Sequence, residues 1–187
     1  MCLYDLLAHV PGLVDVVGDF EPVATEVLLG FHQDAYLRSL GLLDGQRSNA
    51  FADAGLLAVG AARELCERVW TRQLANAYAL VRPAGHHAEA GTARGGCMFA
   101  NDVLAALYAK QLGAQRILFV DWDAHHGNSQ QVACWRDPSV LTISIHQGSN
   151  INVPVPPGSG GGVYRVVFER VVCPAADRFQ PGLHHRV

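Results

Sequence analysis

The chain has 187 residues, half of them apolar, which suffices for one sizeable core and argues against two full domains. Its formal net charge is −3 with lysines and arginines scattered, which excludes the basic stripe of a nucleic-acid-binding surface, so no nucleic-acid partner is expected. The five cysteines are widely spaced without a C-x-x-C pair, which excludes a zinc ribbon and a secreted disulfide framework and fits a reducing compartment. No apolar run reaches roughly 18 residues, and Met1 to Val10 has no basic region ahead of an apolar stretch. The expectation is a soluble, cytoplasmic chain without a membrane partner.

From Glu26 to Leu43 the apolar positions Val27, Leu28, Phe31, Tyr36, Leu37 and Leu40 recur at mixed helical spacings, which predicts a helical hairpin or a helix and its loop. Ala54 to Trp70 carries a broad apolar stripe opposite Arg63, Glu64, Glu67 and Arg68, the pattern of an amphipathic helix. Ala77 to Val81 reads as a short buried strand stopped by Pro83 and Gly85. Val103 to Leu112 reads as a helix closed by Gly113, Arg116 to Val120 as a buried strand, and Val140 to Ile145 as another. The Gly- and Pro-rich stretch Val153 to Gly162 is a surface loop or linker, and Val163 to Phe179 returns to a helical pattern that Pro174 kinks or divides. Alternating strands and helices predict parallel βαβ units in a three-layer α/β/α fold with a mostly parallel sheet, whose strand ends gather function.

One strand end crowds together Asp121, Trp122, Asp123, Ala124, His125, His126, Gly127 and Asn128. In an extended segment alternate residues share a face, so Asp121, Asp123 and His125 point one way while Trp122 and Ala124 face the opposite layer. Asp123 and His125 could then bind one divalent metal, with Asp121 as a supporting carboxylate. The bland alternative, a solvated turn with a chance D-x-D-x-H, fits poorly with apolar strand residues leading straight into the charges. A second constellation, His86 and His87, follows Pro83 and Gly85 at another strand end, which brings both loops to one sheet edge and makes His86 with Asp121 a plausible imidazole–carboxylate pair.

The run from Ala77 to His146 resembles the histone deacetylase and acetylpolyamine amidohydrolase family through four motifs in order: A-L-V-R-P-A-G-H-H-A-E, G-G-C-M-F-A-N, I-L-F-V-D-W-D-A-H-H-G-N and P-S-V-L-T-I-S-I-H-Q. The D-W-D and H-G-N wording is closer to the class II and bacterial amidohydrolase branch. The resemblance implies one deacetylase-like domain over 1–187, incomplete at the C-terminus, with the arginase/deacetylase-like architecture. It implies zinc held by Asp123 and His125, His87 as general base and then acid, His86 held by Asp121, and Asn128 behind His87. A potassium ion at Asp121, Asp123, His125, Ser144 and Ile145 is implied as well. The implied activity is removal of acetyl groups from acetyl-lysine or acetylpolyamine amides.

The sequence also departs from that family. The Asp expected as third zinc ligand, on a strand after the helix at Val163 to Phe179, and a Tyr in a later Gly-rich loop have no counterpart in Arg178 to Val187. His184 or His185 as a substitute ligand weighs less than a frayed or altered terminus. Gln147 runs almost at once into Asn150, Gly96 stands where the family has a channel-lining Phe, and Ala100 and Ser129 replace an Asn and a Gly. A truncated or frameshifted copy accounts for these together. The alternatives are therefore an inactive remnant or binding module of the same fold and, last, a ureohydrolase with paired manganese, for which Asp123-Ala124-His125 fits but Gly127 replaces the next carboxylate.

Overall fold

The computed structural model describes residues 14–44 and 49–186, the last four as backbone only. A 3-10 turn, Thr25–Gly30, leads to α1, Asp34–Ser39, and then to the long helix α2, Ala50–Trp70. Asn49 starts α2 by accepting the Ala52 N–H on its side-chain oxygen, as an N-cap should. After a long connection come α3, Asn101–Gln111, β1, Ile117–Asp121, α4, Asn128–Cys134, β2, Val140–Ser144, and β3, Ile151–Asn152. The chain closes with α5, Gly161–Val167, a π turn over Phe168–Val172, α6, Cys173–Phe179, and β4, Leu183–Arg186.

The sheet is parallel, in the order β3-β2-β1-β4. Every residue of β1 is buried, so its two faces need two covering layers. Ile117 and Phe119 pack on Ala62, Cys66, Ala105, Ala106 and Ala109 of α2 and α3. Leu118 and Val120 pack with Val167 and Val172 of the α5 helix and its π turn. This is the α/β/α layering expected from the alternation of elements. Among the described residues no helix is long and apolar enough to cross a membrane.

The terminal helical pattern is a single continuous rod whose α-helical turns are interrupted, not broken, ahead of Pro174. Pro174 has no N–H to donate and its ring crowds the carbonyl four residues back, and the widened π turn just before it absorbs that conflict. The first helical region is shorter than its pattern suggests, a 3-10 turn plus α1.

Two expectations fail. Ala77–Val81 joins no strand ladder, and Tyr78 is 71% exposed. Apolar sequence favours a strand only where a neighbouring strand accepts it, and β1 spends its two edges on β2 and β4. The C-terminal segment is not frayed: β4 lies in register beside β1, Ile117 opposite Leu183 and Val120 opposite Arg186. The side chains of His184 and His185 lie outside the described residues.

A buried histidine anchors the connection ahead of α3. His32, 2% exposed, accepts the Ala100 N–H on Nε2 at 3.1 Å and packs between Phe31, Tyr36 and Phe99. Its Nδ1 lies without a well-formed partner, near the carbonyls of Ala90 and Glu89, which offset only part of the cost of burial. Burial dominates and pushes its pKa down to about 4. The unfolded chain therefore binds the extra proton first. Stability is full above about 6.5 and falls as pH drops toward 4, by about 3 kcal/mol in all. Urea unfolding at pH 7, 6, 5 and 4 should show this slope in the wild type and not in His32→Phe.

At Gly60 the 14–24 segment crosses α2 so closely that a Cβ would come within 2.0 Å of the Glu21 carbonyl oxygen, and Val23 N–H bonds the Leu56 carbonyl nearby. Backbone cannot swing aside as a side chain can. Gly60→Ala should lower the stability measured by urea unfolding by about 1–3 kcal/mol.

Candidate active site

The apolar residues of β1 draw its last member, Asp121, into the interior, where it is 1% exposed. A buried carboxylate must be hydrogen-bonded or neutralised. Its Oδ1 accepts the Asp123 N–H at 3.0 Å and its Oδ2 accepts Nδ1–H of His86 at 3.0 Å. Burial of the His86 ring opposes its protonation, but the hydrogen bond to Asp121 and the charges of Asp121, Asp123 and Asp102 outweigh it and hold the pKa above the ordinary histidine value.

His87 stacks beside His86 with ring centroids 4.1 Å apart, but it is tied to a different kind of group. Its Nδ1–H donates to Oδ1 of Asn128 at 3.1 Å. Asn128 opens α4, and the next residue sends its N–H to the His86 carbonyl at 2.9 Å, so the helix start holds both histidines. Gly95, with φ +55°, lies against the other side of His87: a Cβ there would come within 2.2 Å of the ring. Gly96 faces open space, with no atom within 4 Å of a Cβ position.

Asp123 and His125 come together, though not by the extended alternation expected. The chain bends after Asp121, and Oδ1 of Asp123 accepts both the N–H of His125 at 2.7 Å and its Nδ1–H at 3.0 Å. Burial pushes the Asp123 carboxyl up, yet these two bonds, with the charges of His86 and His125, hold it below the usual carboxylate range. Trp122 does face the opposite layer, 5.4 Å from Phe168. The His87 and His125 rings are 5.9 Å apart, so the two loop tips share one surface. Of the residues implied for potassium, Asp121 pairs with Ser144 in register, and the Ile145 N–H bonds the Asp121 carbonyl at 2.9 Å.

Among the described residues the donors available to a zinc ion stop at two. Zinc sites take three or four protein donors. Asp123 and His125 supply an oxygen and a nitrogen that now bond each other, and among the described residues no group of three His, Cys, Asp or Glu side chains converges. The paired-manganese alternative fares worse. At Gly127, where it needs a carboxylate, a Cβ would already lie 2.3 Å from Oδ2 of Asp121.

Comparison with known proteins now gives the geometry its lineage. The histone deacetylase domain model matches residues 2–150. The chain belongs to the histone deacetylase family. A histone deacetylase-like amidohydrolase of Pseudomonas aeruginosa is 35% identical over 193 residues, covering 87% of this chain and 51% of that protein. A probable deacetylase of Archaeoglobus fulgidus is 31% identical, covering 83% of the chain and 51% of that protein. The crystal structure titled for the HDA15 HD domain superposes with a TM-score of 0.79 at 29% identity, over 94% of this chain and 60% of that one. The chain thus spans about half the length of these deacetylase relatives.

Within this deacetylase scaffold, several residues escaped the reading of the sequence. The helix α4 is too short for periodicity to reveal, although Gly127 followed by Asn128 marks its start. His126 bonds the Gln147 carbonyl through Nδ1 at 2.7 Å and meets Oε1 of Gln131 through Nε2 at 2.6 Å, pinning the 147–150 loop to α4. Gly127 meets two neighbours at once, since its missing Cβ also makes room for Oε1 of Gln130. Gly127→Ala should lower stability by about 1–3 kcal/mol in urea unfolding and shift the imidazole ¹⁵N signals of His86, whose carboxylate partner it would displace.

Proposed function

We propose that this chain hydrolyses the amide of an acetylated amine, acetyl-lysine in a protein or an acetylpolyamine, with His86 and His87 handling the protons. One observation carries the reading. Two adjacent imidazoles are each fixed through Nδ1, one by a buried carboxylate and the other by a neutral amide. Nδ1–H of His87 is committed to Asn128, which leaves Nε2 as the basic atom. His87 can take a proton from water as the new C–O bond forms at the acetyl carbonyl, then return it to the amine nitrogen as the C–N bond breaks. His86 has the opposite tuning. Its link to Asp121 favours a positive ring, which stabilises negative charge gathering on the carbonyl oxygen.

Family resemblance supports zinc as the carbonyl activator, and Asp123 with His125 are the donors the described residues offer it. Among those residues they fall one short, so the chemistry these side chains carry is proton transfer alone. That same shortfall favours a second reading, a pocket that binds an acetylated amine without hydrolysing it.

Acetate release from an acetyl-lysine peptide and from an acetylpolyamine, with zinc supplied, separates the two. Hydrolysis predicts turnover that His87→Ala lowers by roughly 10²–10⁴-fold. Turnover no greater than that of His87→Ala, with the amine still bound, selects the binding pocket. Zinc titration followed by calorimetry should show weak binding that Asp123→Ala abolishes; tight one-to-one zinc would reveal a third donor and reject the two-donor account.

A further inference from the structure

We propose that Asn101 and Asp102, two neighbouring residues in the first turn of α3, are the positioning residues that bring the loop bearing His86 and His87 together with the start of α4, which bears Asn128. The inference rests on the reading of His86 and His87 as the proton-handling pair, and it assigns the task of holding them to a helix that contributes no group to the chemistry.

Both side chains are buried, Asn101 7% and Asp102 5% exposed. Asn101 reaches one loop. Its Nδ2 donates to the Pro83 carbonyl at 3.1 Å, and its backbone nitrogen lies so near Gly85 that a Cβ there would approach within 2.6 Å. The imidazole pair follows directly in the chain. Asp102 reaches the other element. Its Oδ2 accepts Nε2–H of Gln130 at 2.7 Å, and the hydroxyl of Ser129 lies 3.3 and 3.4 Å from its two oxygens. Ser129 and Gln130, 0% and 1% exposed, follow Asn128 in α4.

One helical turn therefore grips the segment carrying His86 and His87 with one residue and the helix carrying Asn128 with the next. The gripped parts also meet directly, through the Ser129 N–H and the His86 carbonyl at 2.9 Å. A carboxylate suits this place because it accepts from two donors on neighbouring residues at once. Both partners are neutral, so Asp102 holds them through the geometry of its bonds and not through an ion pair; its charge acts separately, as one of those that favour a positive His86 ring. Leaving Gln130 without its acceptor would strand a buried donor and release the start of α4.

The test reads the imidazole ¹⁵N chemical shifts of His86 and His87 in the full chain, which requires no turnover, so a failed acetate assay leaves it intact. Asp102→Ala is expected to shift the signals of both histidines, whereas Asp102→Asn, which still accepts from Gln130 and can donate to Ser129, restores those of His87 toward wild type; His86 also loses the charge of Asp102 and is not the rescue readout. Gln130→Met keeps the length of the side chain, removes its amide and with it the donor to Asp102, and should shift the same signals; it is measured alongside in case Asp102→Ala does not fold. Val172→Ala, in the core on the other face of the sheet, controls for a general loss of stability and should leave them in place. Unchanged imidazole signals in Gln130→Met, or an equal shift in Val172→Ala, overturn the proposal.

Discussion

Everything at the site depends on a carboxylate forced out of water. Four apolar residues of β1, closed in on both faces, carry Asp121 to a place where its charge has to be met by the protein itself. Two donors meet it: the backbone of Asp123, which turns the chain, and the ring of His86, which arrives from a loop 35 residues earlier. The first bond shapes the bend that sets Asp123 against His125. The second fixes the tautomer of His86 and, through the tight loop that follows, the place of His87. Strand burial, a bend and a long-range imidazole contact are thus one electrostatic requirement satisfied in one stroke.

The two histidines differ in partner more than in place. A carboxylate favours positive charge on His86, while His87 is oriented by the neutral amide oxygen of Asn128. A single side chain, Asn in one place and Asp in the other, makes that difference.

How much of this was legible follows from how local each signal is. The strands Ile117–Asp121 and Val140–Ser144 and the helix Ala50–Trp70 could be read because apolar runs are contiguous in the chain. The pairing of His86 with Asp121 was rightly expected, but from a strand at Ala77–Val81 that the sheet does not contain. Ala77–Val81 could not be judged by composition, since a strand is a relation between two segments and this one has no partner in the ladder. The converse holds for Leu183–Arg186, which a terminal, polar-looking sequence disguises and pairing with β1 makes regular. Asp123 and His125 were rightly placed together, but by the wrong geometry: Asx-type bends are set by a few hydrogen bonds that no periodicity announces. The buried contacts of Asp102 were silent for the same reason, being side-chain bonds between two helices far apart in sequence.

The contact between α2 and α3 is built from the smallest side chains available, with Ala62, Ala105, Ala106 and Ala109 in one cluster and Cys66 donating to the Ala105 carbonyl at 3.6 Å. Alanine leaves only a methyl to trim, so nearly every change at these four positions adds volume. Each added methyl would wedge the helices apart and carry the start of α3 with it, away from Pro83 and Gly85. Drift in a greasy seam that touches neither histidine would thereby be felt as misalignment of the imidazoles, and compensation would have to come from the facing helix.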